Sequence, residues 1–163
     1  MRDRQTVHPD GSRIAPEIAG VSFRPAVTQA DERGTLTEIY STRWPEGLES
    51  APHVYEVTAL PGSVRAWVVH LDQDDRLYFS VGLLKIGLYD ARPGSPSEGV
   101  GTTLFAGAHA PGLLTIPRGV YHGIRNVGVE PARFLNLPTR AYDPLLPDKF
   151  RLPSSAPAIP LEL

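Results

Sequence analysis

The feature that most limits how this chain can fold is the regularity with which its β-forming runs are cut short. Residues 53–60, 76–82 and 132–137 each carry strand-type residues and meet glycine or proline at or just beyond their ends, and the run 64–70 follows Pro61-Gly62 and gives way to Asp72-Gln73-Asp74-Asp75. Alternation with a period of two sends successive side chains to opposite faces, which suits a pleated strand with one buried side. The chain holds 17 prolines and 15 glycines, which leaves little room for long helices. Short strands at regular spacing predict an all-β domain in which a sandwich closes into a small barrel.

No repeat and no second-domain boundary is visible. The expected organisation is an irregular N-terminal arm over residues 1–20, a barrel over 21–145, and a C-terminal tail over 146–163. Prolines at 147, 153, 157 and 160 predict that the tail runs extended over the surface. Residues 92–99, rich in Pro, Gly and Ser, read as the least ordered interior segment. In the run 64–70, plain alternation puts Val64, Ala66, Val68 and His70 on one face and Arg65, Trp67 and Val69 on the other.

Several function classes drop out. With no cysteine, disulfides, zinc-thiolate sites and thiol nucleophiles are excluded. A formal charge of -2 and the lack of a Lys/Arg block argue against nucleic acid as a partner. No apolar run is long enough to span a bilayer and the first residues are too polar for a secretion signal, so no membrane role and a cytoplasmic location are expected. Histidine, carboxylate and tyrosine are left to carry any chemistry.

They cluster in two places. Pro117-x-Gly119-x-x-His122-x-x-x-Asn126 is a sharp turn that hands a histidine to the following strand. Upstream, Gly62, Val68, His70, Asp75 and Gly82 stand at intervals of five, one, four and six residues. The pair of stretches resembles the two conserved motifs of the cupins, with Val68 at the position of the first histidine and Asp75 at that of the glutamate. The resemblance implies a double-stranded β-helix, a jelly-roll barrel with little helix, in which His70 and His122 converge beside Asp75. Two imidazoles and one carboxylate could hold a divalent metal; a hydrogen-bonded histidine pair in a dry pocket is the alternative.

A more specific resemblance spans residues 31–144. Asp31-x-Arg33-Gly34-x-Leu36-x-Glu38, Arg65-Ala66-Trp67, Asp90-x-Arg92-x-x-Ser95-Pro96, Ile116-Pro117-x-Gly119-x-x-His122-Gly123 and Tyr142-Asp143-Pro144 are similar, in order, to boxes of the dTDP-4-dehydrorhamnose 3,5-epimerases. This implies a metal-free, cofactor-free isomerase of deoxysugar biosynthesis, homodimeric with exchanged N-terminal strands, acting on nucleotide-linked 4-keto-6-deoxyhexoses. A 4-keto group acidifies the flanking C–H bonds, so a base and an acid on opposite faces can invert a centre through an enolate.

The resemblance carries over Arg33, Glu38 and Arg65 as sugar-nucleotide contacts and His122 in the pocket; Asn136 and Tyr142 are further candidates for substrate binding, and His70, His122 and Asp75 form the candidate catalytic set. Other positions depart from the family. Its base histidine is Val68 here, its lysine falls near Asp75, its acid tyrosine aligns with Asn136, and its C-terminal aspartate has no counterpart before Leu163. Tyr55, Tyr78 and Tyr142 are candidates for stacking or proton donation, with strand packing as the plainer role. Three readings follow: an epimerase or ketoisomerase with a rearranged site, a metal-dependent cupin acting on another small molecule, or a family member that binds a sugar nucleotide without turnover.

Overall fold

The structure is a computed structural model that describes residues 5, 7–11, 14, 17–46 and 48–163. Much of the expected N-terminal arm therefore lies outside the described residues. Among those described there are twelve strands and no α-helix, so no helix could cross a membrane. The strands are β1 (Ser22–Pro25), β2 (Thr28–Asp31), β3 (Gly34–Thr37), β4 (Tyr55–Ala59), β5 (Val64–Val69), β6 (Asp75–Val81), β7 (Leu83–Asp90), β8 (Gly101–Gly107), β9 (Gly112–Ile116), β10 (Val120–Asn126), β11 (Ala132–Asn136) and β12 (Phe150–Arg151). Two five-stranded sheets, ordered β1-β9-β6-β11-β4 and β12-β5-β10-β7-β8, face one another. This is the expected all-β jelly-roll architecture.

The period-two pattern explains both the core and where it stops. Leu77 and Phe79 of β6, Leu84, Ile86 and Leu88 of β7, Val120 and Ile124 of β10, and Phe134 of β11 fill one interior cluster. Along those same inward rows stand Asp75, His122 and Asn136, at 3%, 7% and 4% exposure. Polar groups thus continue the apolar rows at one end of the barrel. Burying them costs free energy unless each finds a partner.

β5 departs from plain alternation. Against β10, His122 faces Val68 but Ile124 faces Arg65, so a bulge sets two residues of β5, Ala66 and Trp67, against the single Gly123 of β10. The phase reverses across it. Arg65 shares the inward side with Ile124, whereas Ala66 joins Trp67 in a cluster on the outer surface. The expected pairing of Arg65 with Trp67 on one face is corrected by this extra residue.

Residues 146–163 contribute structure of their own. Phe150 and Arg151 pair with Val69 and Val68, and the backbones of Leu152 and Trp67 exchange two hydrogen bonds. Beyond them Ala156, Ile159, Leu161 and Leu163 pack with Trp67. Gly123 permits this layer, because a Cβ there would stand 2.4 Å from Leu163 and 2.7 Å from Ala66.

The loop 92–99 is tightly tied. Buried Asp90 accepts hydrogen bonds from Arg92, Ser95 and Ser97, and Arg92 also donates to the Ala19 carbonyl. One carboxylate collects the hydroxyls and guanidinium of a segment that composition alone reads as loose. In contrast, among the described residues β2 and β3 pair only with each other, as a largely exposed hairpin.

Candidate active site

His122 is placed by its turn. Val120 donates its amide to the Pro117 carbonyl at 3.3 Å, and Gly119 between them holds φ at +81°. Glycine reaches that left-handed conformation without the penalty a Cβ brings. The Gly119 amide in turn donates to the His70 carbonyl at 2.7 Å, which joins the two histidine-bearing segments. Asp74 adds a second tie by accepting the amide and Nε of Arg118, each at 3.0 Å.

Asp75 is the centre of the cluster. Its Oδ2 lies 3.3 Å from His70 Nε2 and 3.4 Å from His122 Nε2, and it accepts Asn136 Nδ2 at 3.2 Å. Its Oδ1 accepts Gln73 Nε2 at 2.9 Å. The two imidazoles stack with centroids 5.6 Å apart. On its far side His70 meets the Asp148 carbonyl through Nδ1, while the Asp148 carboxylate accepts the amides of Leu71, Asp72 and Gln73. An N–H on Nδ1 donating to that carbonyl leaves Nε2 as the basic nitrogen of a neutral His70.

The electrostatics follow from these contacts. Burial pushes the Asp75 carboxyl up, but the hydrogen bonds and charges of His122 and His70 override this and hold it well below the usual carboxylate range. Burial likewise pulls His70 down, and the hydrogen bond and charge of Asp75, helped by Asp148, more than offset it and raise His70 above an ordinary histidine. Asp75 thus favours the protonated form of His70: at low enough pH the pair is an imidazolium held against a carboxylate, and the neutral ring that can accept a proton appears as pH rises.

Above the cluster opens a cavity of about 730 Å³, within the usual range for a small-ligand site. His70 and Tyr55, carried by different sheets, both line it, and the stretch from Pro138 to Arg151 walls one side with Tyr142, Lys149 and Arg151 among the lining groups. Lys149 follows the β5–β12 register to a place opposite His70, as Arg151 is opposite Val68. Burial and the charge of Arg151 push the Lys149 ammonium down, with Asp75 pulling the other way.

Buried Arg76 secures the rim. It donates to the carbonyls of Leu137, Pro138, Glu49 and Ser50 and to the Tyr40 hydroxyl, tying the strand that begins at Asp75 to the end of the strand that carries Asn136.

The structure brings together His70, His122, Asp75 and Asn136, and it puts Tyr142 on the cavity wall. Arg65 is exposed on the inward side of the bulge, close enough for its charge to act on Tyr55 and Lys149. Arg33 and Glu38 do not line this cavity within one chain. Arg33 is paired with Asp31 at the hairpin tip, and Glu38 accepts the Trp44 indole N–H at 2.6 Å beside a separate groove. Gln73, Arg76, Asp148 and Lys149 escaped the sequence reading. For the last two, the only available signal was a pair of charged residues interrupting the proline-rich tail.

One ligand atom each from His70, Asp75 and His122 falls within 4.8 Å of the others, so these are the residues that could hold a divalent cation. The donor set is nonetheless satisfied internally, because both Asp75 oxygens already accept hydrogen bonds from Gln73, Asn136 and the two imidazoles.

No protein-family model matches the chain. It is 36% identical over 139 residues to a probable low-salt glycan biosynthesis epimerase of Haloferax volcanii, covering 85% of this chain and 89% of the relative. It is 34% identical over 137 residues to the spore coat polysaccharide biosynthesis protein SpsL of Bacillus subtilis, covering 83% and 89%. Among solved structures, a dTDP sugar isomerase of Desulfovibrio desulfuricans superposes with a TM-score of 0.81 at 25% identity, covering 89% of this chain and 91% of that one.

Proposed function

This chain belongs to the family of dTDP-sugar epimerase-like cupins, and from that premise we propose that its cavity binds a nucleotide-linked 4-keto-6-deoxyhexose and inverts or relocates a centre beside the ketone by proton transfer. The observation that carries the reading is His70, set in the cavity wall with one nitrogen fixed by Asp148 and the other backed by buried Asp75. A base of this kind takes the acidified proton through Nε2, and Asp75 stabilises the imidazolium that results. His122 shares the Asp75 charge from the other side and keeps it ionised. The family resemblance makes Val68 the lost base position; His70, two residues on, takes over that role in this reading.

Arg65, Lys149 and Arg151 form no ion pair among the described residues, and they are the groups that would neutralise the diphosphate of the ligand. Tyr142 positions the sugar from the cavity wall, and buried Asn136, which does not line the cavity, acts through Asp75 and Tyr55. No cofactor enters this scheme, because the ketone of the substrate itself acidifies the bond that breaks.

The exposed β2–β3 hairpin supports a homodimer in which one protomer lends Arg33 and Glu38 to the cavity of its partner, since neither reaches the cavity of its own chain. A cytoplasmic location belongs to the same reading. Incubation with dTDP-4-keto-6-deoxyglucose in heavy water tests the function: deuterium should enter at C3 or C5. Tight binding with no deuterium uptake would instead favour a binding protein without turnover.

A further inference from the structure

Inverting a carbon centre requires two groups. One removes the proton, and another returns it from the opposite side. Both histidines and Asp75 are poor candidates for the second task. His70 is committed to the first, and His122 and Asp75 are buried, do not line the cavity and face each other, His122 Nε2 lying 3.4 Å from Asp75 Oδ2.

The opposite wall offers Tyr55. It stands on β4, the outermost strand of one sheet, whereas His70 directly follows β5 of the other, and both line the same cavity. Val57 and Ala59 of β4 pack toward the core, so the period of two directs Tyr55 inward as well.

Tyr55 lies directly across the β4–β11 ladder from Asn136. Asn136 Nδ2 donates to the Tyr55 hydroxyl at 2.8 Å and to Asp75 Oδ2 at 3.2 Å. The orientation of Asn136 is fixed by the carboxylate, which can only accept near neutral pH. The phenol oxygen is therefore used as an acceptor, and its own hydrogen has no protein acceptor among the described residues. At 37% exposure the ring is open to a ligand.

We propose that Tyr55 is the catalytic acid that returns the proton to the sugar from the face opposite His70. The assignment rests on the functional reading given above. In the first step the C–H bond beside the ketone breaks, its proton goes to His70 Nε2, and the electron pair moves onto the carbonyl oxygen as an enolate. In the second, the Tyr55 O–H bond breaks, the enolate electrons form a C–H bond on the other face, and the ketone is restored. Exchange with solvent then returns His70 and Tyr55 to their starting protonation states. Burial and the Asp75 charge push the phenol above its ordinary value, so it stays protonated and able to donate at neutral pH.

The test compares the wild type with Tyr55→Phe on dTDP-4-keto-6-deoxyglucose in heavy water. Formation of the inverted product should fall at least about 100-fold, while deuterium still enters the recovered substrate through His70 and affinity for dTDP changes less than about two-fold. Inversion by Tyr55→Phe at close to the wild-type rate would overturn the assignment while leaving the function intact. A wild type that takes up no deuterium overturns both. Replacing Tyr55 with 3-fluorotyrosine gives a readout that packing alone would not move: the alkaline limb of the rate profile should shift to lower pH, and an unmoved limb counts against the proposal.

Discussion

Replacing Asp75 by Asn keeps the shape of the side chain and removes its charge. In the wild type the carboxylate accepts four donors at 3% exposure, two of them imidazole nitrogens. Hydrogen bonds to charged groups contribute about 1.5–3 kcal/mol each, and losing one partner of a buried pair costs about 3–5 kcal/mol. The new amide would also point an N–H at donors already present. We therefore expect Asp75→Asn to destabilise the fold by about 3–5 kcal/mol at its worst.

The pH dependence of that loss identifies its cause. His70 is raised on folding, so its contribution is complete below an unfolded value of about 6.5 and disappears as pH climbs through the folded value. Asp75 is depressed, so its contribution is present above about 3.9 and is lost as pH falls toward its folded value. The two overlap between about pH 4 and 6.5, where the variant should suffer most. Urea denaturation of both proteins from pH 4.5 to 9 measures this directly. A difference below about 1 kcal/mol that does not vary with pH would refute the imidazolium–carboxylate account.

Other consequences follow from the same contacts. Gly119→Ala should lower stability by about 1–2 kcal/mol, or about 2–8 °C in Tm, because it forces a side chain into φ +81° with its Cβ 2.5 Å from the Arg92 stem; calorimetry checks it. Asp90→Ala should cost about 2–4 kcal/mol by stranding the Arg92 guanidinium and two hydroxyls, and it should increase proteolysis within 92–99. If His70 is the base, kcat/KM should rise with pH along a limb lying above about 6.5, since only the neutral ring accepts a proton. Elemental analysis of protein purified without added metal should give far less than one metal per chain; a stoichiometric value would move the His70, Asp75 and His122 set to a metal-dependent mechanism.

The parts of this architecture legible in the sequence are those fixed by local constraint. Pro117 and Gly119 dictate a turn within a few residues of His122, and strict alternation in 75–79 and 120–124 places Asp75 and His122 on core-facing rows. Arg65 was misplaced because a single extra residue reverses the phase of a strand, and nothing in the run 64–70 announces the bulge. Asp148 and Lys149 were invisible for another reason. Their place opposite His70 comes from pairing between strands about 80 residues apart, in a stretch whose prolines read as surface coil. The loop 92–99 looked loose because its order depends on one buried carboxylate at its edge, which composition does not weigh.

Solvent deuterium entry beside the ketone, measured by NMR in the wild type and in His70→Gln, reaches the central claim most directly. The account predicts that the wild type exchanges and that His70→Gln loses at least about 100-fold in exchange rate while still binding dTDP. Exchange that persists undiminished in His70→Gln would show that the proton leaves through some other group and would contradict the account.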